Sequence, residues 1–220
     1  ALNKGARRPQ AIAPQSFKRI GIIGAGFMGA GIATVAALAA MDVVLIDRDE
    51  ESAMKGKASA DKTISSRVAK GRATEAEREA FLARIKPTAD YSMLASCDLV
   101  IEAVFEDPRV KDETIRKAEA AMGSKTIFAS NTSTIPISDL ANSFSRRKDF
   151  IGIHFFSPVD RMMLVEIIKG KETGPDAIAA AFDFVRAIGK TPILVNDARG
   201  FYANRCVLNY VREGHLMFME

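Results

Sequence analysis

Residues 21–33 read Gly-Ile-Ile-Gly-Ala-Gly-Phe-Met-Gly-Ala-Gly-Ile-Ala, with Gly24, Gly26 and Gly29 in the spacing GxGxxG. Glycines are common in turns, so the spacing alone is a weak signal; its context makes it informative. A short β-branched run at 19–23 leads straight into Gly24, and a small-residue segment of helical composition follows over 27–41. In a strand, turn and helix of this kind the first glycine permits the tight turn. The second lets bare backbone approach a pyrophosphate, and the third lets helix and strand pack closely. Ala25, Phe27 and Met28 complete the loop. A second apolar run at 43–46 ends in Asp47, 18 residues after Gly29. There a carboxylate accepts hydrogen bonds from the ribose hydroxyls of an adenosine and repels a 2′-phosphate, which favours NAD over NADP. Arg48 points the other way, because an Arg at this place also serves a phosphate; Asp47 carries more weight.

Outward from this unit the same alternation continues. A polar helical stretch runs to about residue 69, Gly71 interrupts it, and Thr74 with Glu77 forms a capping box that opens a further helix ending before Pro87. A strand at 99–104, an amphipathic helix at 110–122 and a strand at 126–129 follow. Strands alternating with helices predict parallel pairing. The pattern changes at 150–156 and 163–168, two apolar runs separated only by a few residues around Ser157-Pro158-Val159-Asp160. That spacing suits an antiparallel hairpin rather than a crossover. A helix at 176–188 and a strand at 192–195 come next, and 196–200 reads as a domain boundary. The fold class expected is α/β: a doubly wound, mostly parallel sheet with a hairpin addition, followed by the start of an all-α region. The domains expected are a linker or tail at 1–16, a dinucleotide-binding domain at 17–198, and at 199–220 the first helix of a helical substrate or dimerisation domain.

Composition narrows the possibilities. With 48% apolar and 26% charged residues over 220 positions, the chain is globular rather than disordered. The longest uncharged apolar stretch, residues 30–41, is too short for a membrane span. The net charge is +4, but Lys4, Arg7, Arg8, Lys18 and Arg19 meet no acid among the first 19 residues, which leaves −1 for the rest. A folded body so balanced lacks the clustered surplus charge of a nucleic-acid-binding face. Cys97 and Cys206 stand 109 residues apart with no CxxC and no clustered His, which suggests neither zinc nor a disulfide framework and favours a reducing compartment. The start lacks an initiator Met and a signal-peptide core, and the last 20 or so residues form a helical stretch with no cap or breaker. The natural polypeptide is therefore expected to continue at both ends.

One of the two histidines, His154, lies at the end of the first hairpin run. Taken alone it reads as a satisfied structural residue. If the hairpin centres on Asp160, however, Glu166 falls directly opposite it, with Cβ atoms about 4.5–5.5 Å apart. A carboxylate there fixes the imidazole tautomer and supports the imidazolium once the other nitrogen takes a proton. A structural His-Glu pair on a sheet edge is the competing explanation, and a neighbouring hydride cofactor tips the balance toward a base.

Six ordered blocks then carry a resemblance: GIIGAGFMGAGIA at 21–33, VVLIDRD at 43–49, IEAVFED at 101–107, FASNTSTIPI at 128–137, HFFSPVDRMMLVEII at 154–168 and GFYANR at 200–205. Together they resemble the 3-hydroxyacyl-CoA dehydrogenases, most of all the dehydrogenase part of the multifunctional fatty-acid β-oxidation enzymes. The resemblance implies a Rossmann-type domain with NAD as cofactor and a 3-hydroxyacyl-CoA as substrate. It makes His154 the base, Glu166 its partner, Ser133 a donor to the substrate hydroxyl and Asn204 a substrate-orienting residue. Glu106 and Lys111 match positions contacting the nicotinamide half of the cofactor, and Ser133 and Ser157 also border it. Ser157 stands where the family usually has Asn. Thr63 and Lys70 correspond more loosely to a CoA-contacting helix, where Lys would meet the 3′-phospho-ADP end. The resemblance further implies no metal, and a homodimer or β-oxidation complex formed through the helical domain. The location implied is cytoplasmic in a bacterium, mitochondrial or peroxisomal in a eukaryote. Without most of that helical domain the piece is expected to be a poor catalyst. A stand-alone 3-hydroxybutyryl-CoA dehydrogenase and a non-catalytic, crystallin-like dinucleotide-binding protein are the alternatives.

Overall fold

The computed structural model describes residues 7–220. Eight strands, β1 (Arg19–Ile23), β2 (Asp42–Ile46), β3 (Ile85–Thr88), β4 (Leu99–Glu102), β5 (Ile127–Ser130), β6 (Phe150–Phe155), β7 (Leu164–Lys169) and β8 (Thr191–Asn196), form one sheet in the order β3-β2-β1-β4-β5-β6-β7-β8. Every neighbouring pair is parallel except β6 and β7. The helices are α1 (Phe27–Leu38), α2 (Glu50–Ala69), α3 (Glu75–Ala83), α4 (Pro108–Ala121), α5 (Ile137–Leu140), α6 (Pro175–Ala187) and α7 (Ala203–Met219).

Side chains alternate across the strands, so successive residues feed two apolar layers. Ile20, Ile22, Val43 and Leu45 pack with Ile32, Ala33 and Ala36 of α1 and with Phe182 and Phe184 of α6. Ile23, Val44, Ile46 and Val100 face Ile115 and Ala118 of α4. A parallel sheet covered on both faces is the doubly wound arrangement expected, and the strands read as near-continuous apolar runs for that reason. Strand order reverses between β1 and β4, which opens a crevice at their carboxyl ends.

Three details differ from expectation. β3 was not foreseen, because Pro87 reads as a breaker; at the sheet margin, paired only with β2, a strand tolerates the missing N–H. Helix α1 stops at Leu38 rather than at 41, since Ala40 takes a left-handed φ of 64°. Residues 7–17 are no free tail. Arg8 makes two 2.7 Å bonds to Asp183 of α6 and donates to the carbonyls of Pro9, Ile12 and Ala13, while Phe17 meets Phe184 edge-on. Arg8 and the residues up to Phe17 are thus strapped to the body by a partly buried ion pair, while residues 1–6 of the expected tail lie outside the described residues. Among the described residues no helix is long and apolar enough to cross a membrane.

Candidate functional site

At the end of β1 the backbone turns with Gly24 at φ 97°, and a Cβ there would lie 2.5 Å from the Ala103 carbonyl oxygen at the end of β4. A Cβ on Gly29 would lie 1.7 Å from the Gly24 oxygen. Both positions therefore require glycine for packing. Gly26 is different: nothing lies within 4 Å of its would-be Cβ, so its bare backbone faces open space. It is also the N-cap of α1 and supplies no side chain to the helix's first amides. Those amides remain free at the positive end of the helix dipole, a setting that suits a pyrophosphate. Asp47 follows β2, its carboxylate accepting from the Ala25 amide at 2.6 Å and the Arg48 amide at 2.7 Å. Gly24, Gly26, Asp47, Tyr91, Val104 and Lys117 are among the walls of a cleft of about 590 Å³ at this crevice. Glycines, free amides, carboxylate and cleft fit a dinucleotide with an unphosphorylated 2′-hydroxyl.

Beside it, Lys111 belongs to a buried charge network. That ammonium is 1% exposed and lies 2.7 Å from Glu102, itself buried, and 3.2 Å from Glu106. Glu102 also accepts from the Ser130 hydroxyl and the Val104 amide. Glu106 gathers the loop after β5, accepting from the Thr132 hydroxyl and from the amides of Ser133 and Thr134. Burial pushes the Glu106 pKa up, but Thr132, Lys111 and the Ser133 amide outweigh it and hold the carboxyl below its ordinary value. Lys111 thus anchors Glu106, and Glu106 sets where Ser133 stands.

The hairpin has the expected register, with His154 paired to Glu166. Nδ1 of His154 lies 2.8 Å from Glu166 Oε2, with His154 4% exposed and Glu166 fully buried. The other carboxylate oxygen, Oε1, accepts from the amides of Tyr202 and Ala203 where α7 begins. Burial alone would raise the Glu166 pKa; the bonds from His154 and those two amides reverse the shift and keep it below the ordinary carboxylate value. An ionised carboxylate only accepts, so Nδ1 carries the hydrogen and Nε2 holds the free lone pair. Phe156 and Phe201 flank the imidazole, with ring centroids 4.6 and 5.7 Å away. Asn204, one residue into α7, donates from Nδ2 to the Ser133 carbonyl at 3.0 Å. Lys111, Glu106, Ser133 and Asn204 therefore form one chain of polar contacts, and the start of α7, which carries Asn204 and clamps Glu166, sets it beside the His154–Glu166 pair.

The remaining expected residues lie apart from it. Ser157 is exposed just after β6. Thr63 and Lys70, on α2 and at its C-cap, border a second cleft of about 590 Å³. Two contributors were not foreseen: Glu102, and Asp197, whose carboxylate accepts from the Ile137 and Ser138 amides and so caps α5 just past the Ser133 loop. Only an acid at the end of each parallel strand, Asp47 after β2 and Glu102 in β4, could have signalled the first. Among the described residues, no group of three or more His, Cys, Asp or Glu is placed to hold a metal ion.

A glycine turn and a carboxylate ending the second strand, set on a doubly wound sheet, define a dinucleotide-binding domain, here with a carboxylate-held imidazole in its added hairpin. Residues 19–198 match the model of the 3-hydroxyacyl-CoA dehydrogenase NAD-binding domain, and the chain belongs to that family. It is 42% identical over 209 residues to the fatty acid oxidation complex subunit alpha of Pseudomonas savastanoi pv. phaseolicola; the match takes in 95% of this chain and 29% of that protein. The counterpart from Pseudomonas syringae pv. syringae matches to the same extent, so the chain spans under a third of these relatives. Among solved structures, (S)-3-hydroxybutyryl-CoA dehydrogenase PaaH1 of Ralstonia eutropha superposes with a TM-score of 0.87 at 38% identity, covering 90% of this chain and 70% of that one. The 3-hydroxybutyryl-CoA dehydrogenase of Escherichia coli K12 gives 0.81 at 32% identity, covering 84% and 39%.

Proposed function

We propose that the chain oxidises (S)-3-hydroxyacyl-CoA to 3-oxoacyl-CoA, as the dehydrogenase portion of a multifunctional fatty-acid β-oxidation enzyme acting in the cytoplasm. The observation that carries this reading is the 2.8 Å contact of His154 Nδ1 with a buried Glu166 that is itself locked by two amides. Nε2 takes the proton of the C3 hydroxyl, and Glu166 stabilises the resulting imidazolium without leaving its place. NAD, when bound, supplies the hydride acceptor. The Ser133 hydroxyl donates to the substrate oxygen, and Asn204, tied to the Ser133 carbonyl, orients the same group. Ser157 borders the nicotinamide side, while Thr63 and Lys70 meet the nucleotide end of CoA. A positioned base of this kind contributes roughly 10²–10⁴ in rate.

The test is a steady-state assay of the full-length protein with acetoacetyl-CoA and NADH. Turnover that disappears in His154→Ala supports the reading; unchanged turnover in that variant removes it. A second reading, a dehydrogenase confined to four-carbon substrates, draws on the likeness to the two 3-hydroxybutyryl-CoA enzymes. Comparing kcat/KM for four- and sixteen-carbon substrates separates the two. Preference for the longer chain favours the β-oxidation subunit. Assembly with a second copy or with a β-oxidation partner would run through the helical domain that α7 opens.

A further inference from the structure

The second cleft has a charge pattern that α2 alone does not explain. Lys62, Arg67 and Lys70 come from α2 and its C-cap, and Arg72 from the loop beyond; Arg161 and Asp160 come from the β6–β7 turn. Five cations and one acid share about 590 Å³. Such a site repels itself unless a polyanion enters. Arg161 has a side chain 80% exposed and makes only a 4.0 Å approach to Asp160, so it is free to turn toward a ligand.

The turn that presents Arg161 is held firmly on both sides of it. Val159 is buried against α1 at Gly31, where an added Cβ would lie 2.9 Å from the Val159 Cβ. From the opposite side comes Lys190, between α6 and β8 and only 7% exposed. Its ammonium donates to the Val159 carbonyl at 2.5 Å and the Met162 carbonyl at 2.6 Å, bracketing Arg161 in the chain. Burial pushes the Lys190 pKa down, with Asp160 acting in the other direction. A buried ammonium that serves two backbone carbonyls is costly and is justified only by the geometry it enforces.

We propose that the β6–β7 turn is the second wall of a phosphate-binding cleft, with Arg161 contacting the phosphorylated nucleotide end of the acyl carrier and Lys190 acting as the positioning residue that holds Arg161 there. This rests on the CoA-thioester reading of the site. Arg161 then sets affinity for the carrier rather than for the reacting acyl group, and the hairpin that bears His154 also grips the far end of the substrate.

Calorimetry on the full chain with coenzyme A, adenosine 3′,5′-bisphosphate and pantetheine tests this. Arg161→Ala should weaken the first two by about tenfold, the scale of one charge-assisted contact, and leave pantetheine and NAD unchanged. Lys190→Met should weaken coenzyme A by about three- to tenfold and add almost nothing in the Arg161→Ala background, because it acts through that residue. Equal coenzyme A affinity in wild type and Arg161→Ala overturns the proposal alone. Wild-type protein that binds NAD but neither coenzyme A nor the bisphosphate overturns the CoA reading with it. Additive losses, or a Lys190→Met loss shared by NAD and pantetheine, make Lys190 a general structural residue and remove it from the proposal.

Discussion

At the carboxyl end of β1 a ligand site is made by leaving side chains out; at the β6–β7 hairpin one is made by burying charged side chains. The glycine turn holds its shape through backbone packed on backbone, Gly24 against Ala103 and Gly29 against Gly24, while Gly26 stays open. The hairpin puts a carboxylate and an imidazole into the sheet and satisfies them with one another and with the amides of Tyr202 and Ala203. A site of the first kind fails when an atom is added. A site of the second kind fails when a partner is taken away, because the remaining buried group is then unpaired.

The largest expected effect is at Gly29. Gly29→Ala places a Cβ 1.7 Å from a backbone oxygen that cannot swing aside, so folding should be lost or weakened by more than about 4 kcal/mol in denaturant titration. Gly26→Ala should unfold within about 1 kcal/mol of wild type and still bind NAD poorly; similar unfolding of the two variants breaks the contrast inside the turn.

Next is the hairpin. His154→Ala should cost at least about 3 kcal/mol in transition-state free energy, a factor above 10² in kcat. Glu166→Gln alone should lower kcat with little change in NAD affinity, and added to His154→Ala it should cost little more, since groups acting as a unit are non-additive. A double-mutant cycle with fully additive losses would show the two working independently. A smaller effect is expected at Asp47, where Ala should weaken NAD by about 1–3 kcal/mol and erode the preference over NADP. Titration of both cofactors measures it, and tighter NADP binding by wild type would reverse the assignment.

The smallest concerns acid. The Glu166 pKa is lowered in the fold, so its contribution is fully present above the unfolded value, about 4.3, and is lost as pH falls through the depressed folded value. Unfolding midpoints taken from neutral pH down to about 3 should fall less steeply in Glu166→Gln than in wild type. An equal or steeper fall would mean that the hairpin carboxylate is not held down.

The same contrast governs what the sequence disclosed. Gly24, Gly26, Gly29 and Asp47 are legible because the turn needs those residue types at fixed local spacing. His154 and Glu166 are legible because a tight hairpin turns sequence spacing into register, and strand pairing bears that register out. Lys111, Arg8 and Lys190 were not. Arg8 meets Asp183 across 175 positions, and nothing local marks either partner. Lys111 sits one turn into an amphipathic helix where a solvated or ligand-facing Lys looks identical, and only the three-dimensional approach of Glu102 shows it to be interior. Pro87 hid β3 because a proline's meaning depends on whether the strand is central or marginal.

Helix α7 is 17 residues long, about 25 Å, and meets the body at its first turn through Tyr202, Ala203 and Asn204. The amides that clamp Glu166 are thus the opening of α7 itself, so whatever orients this helix also sets the acceptor that orients the imidazole.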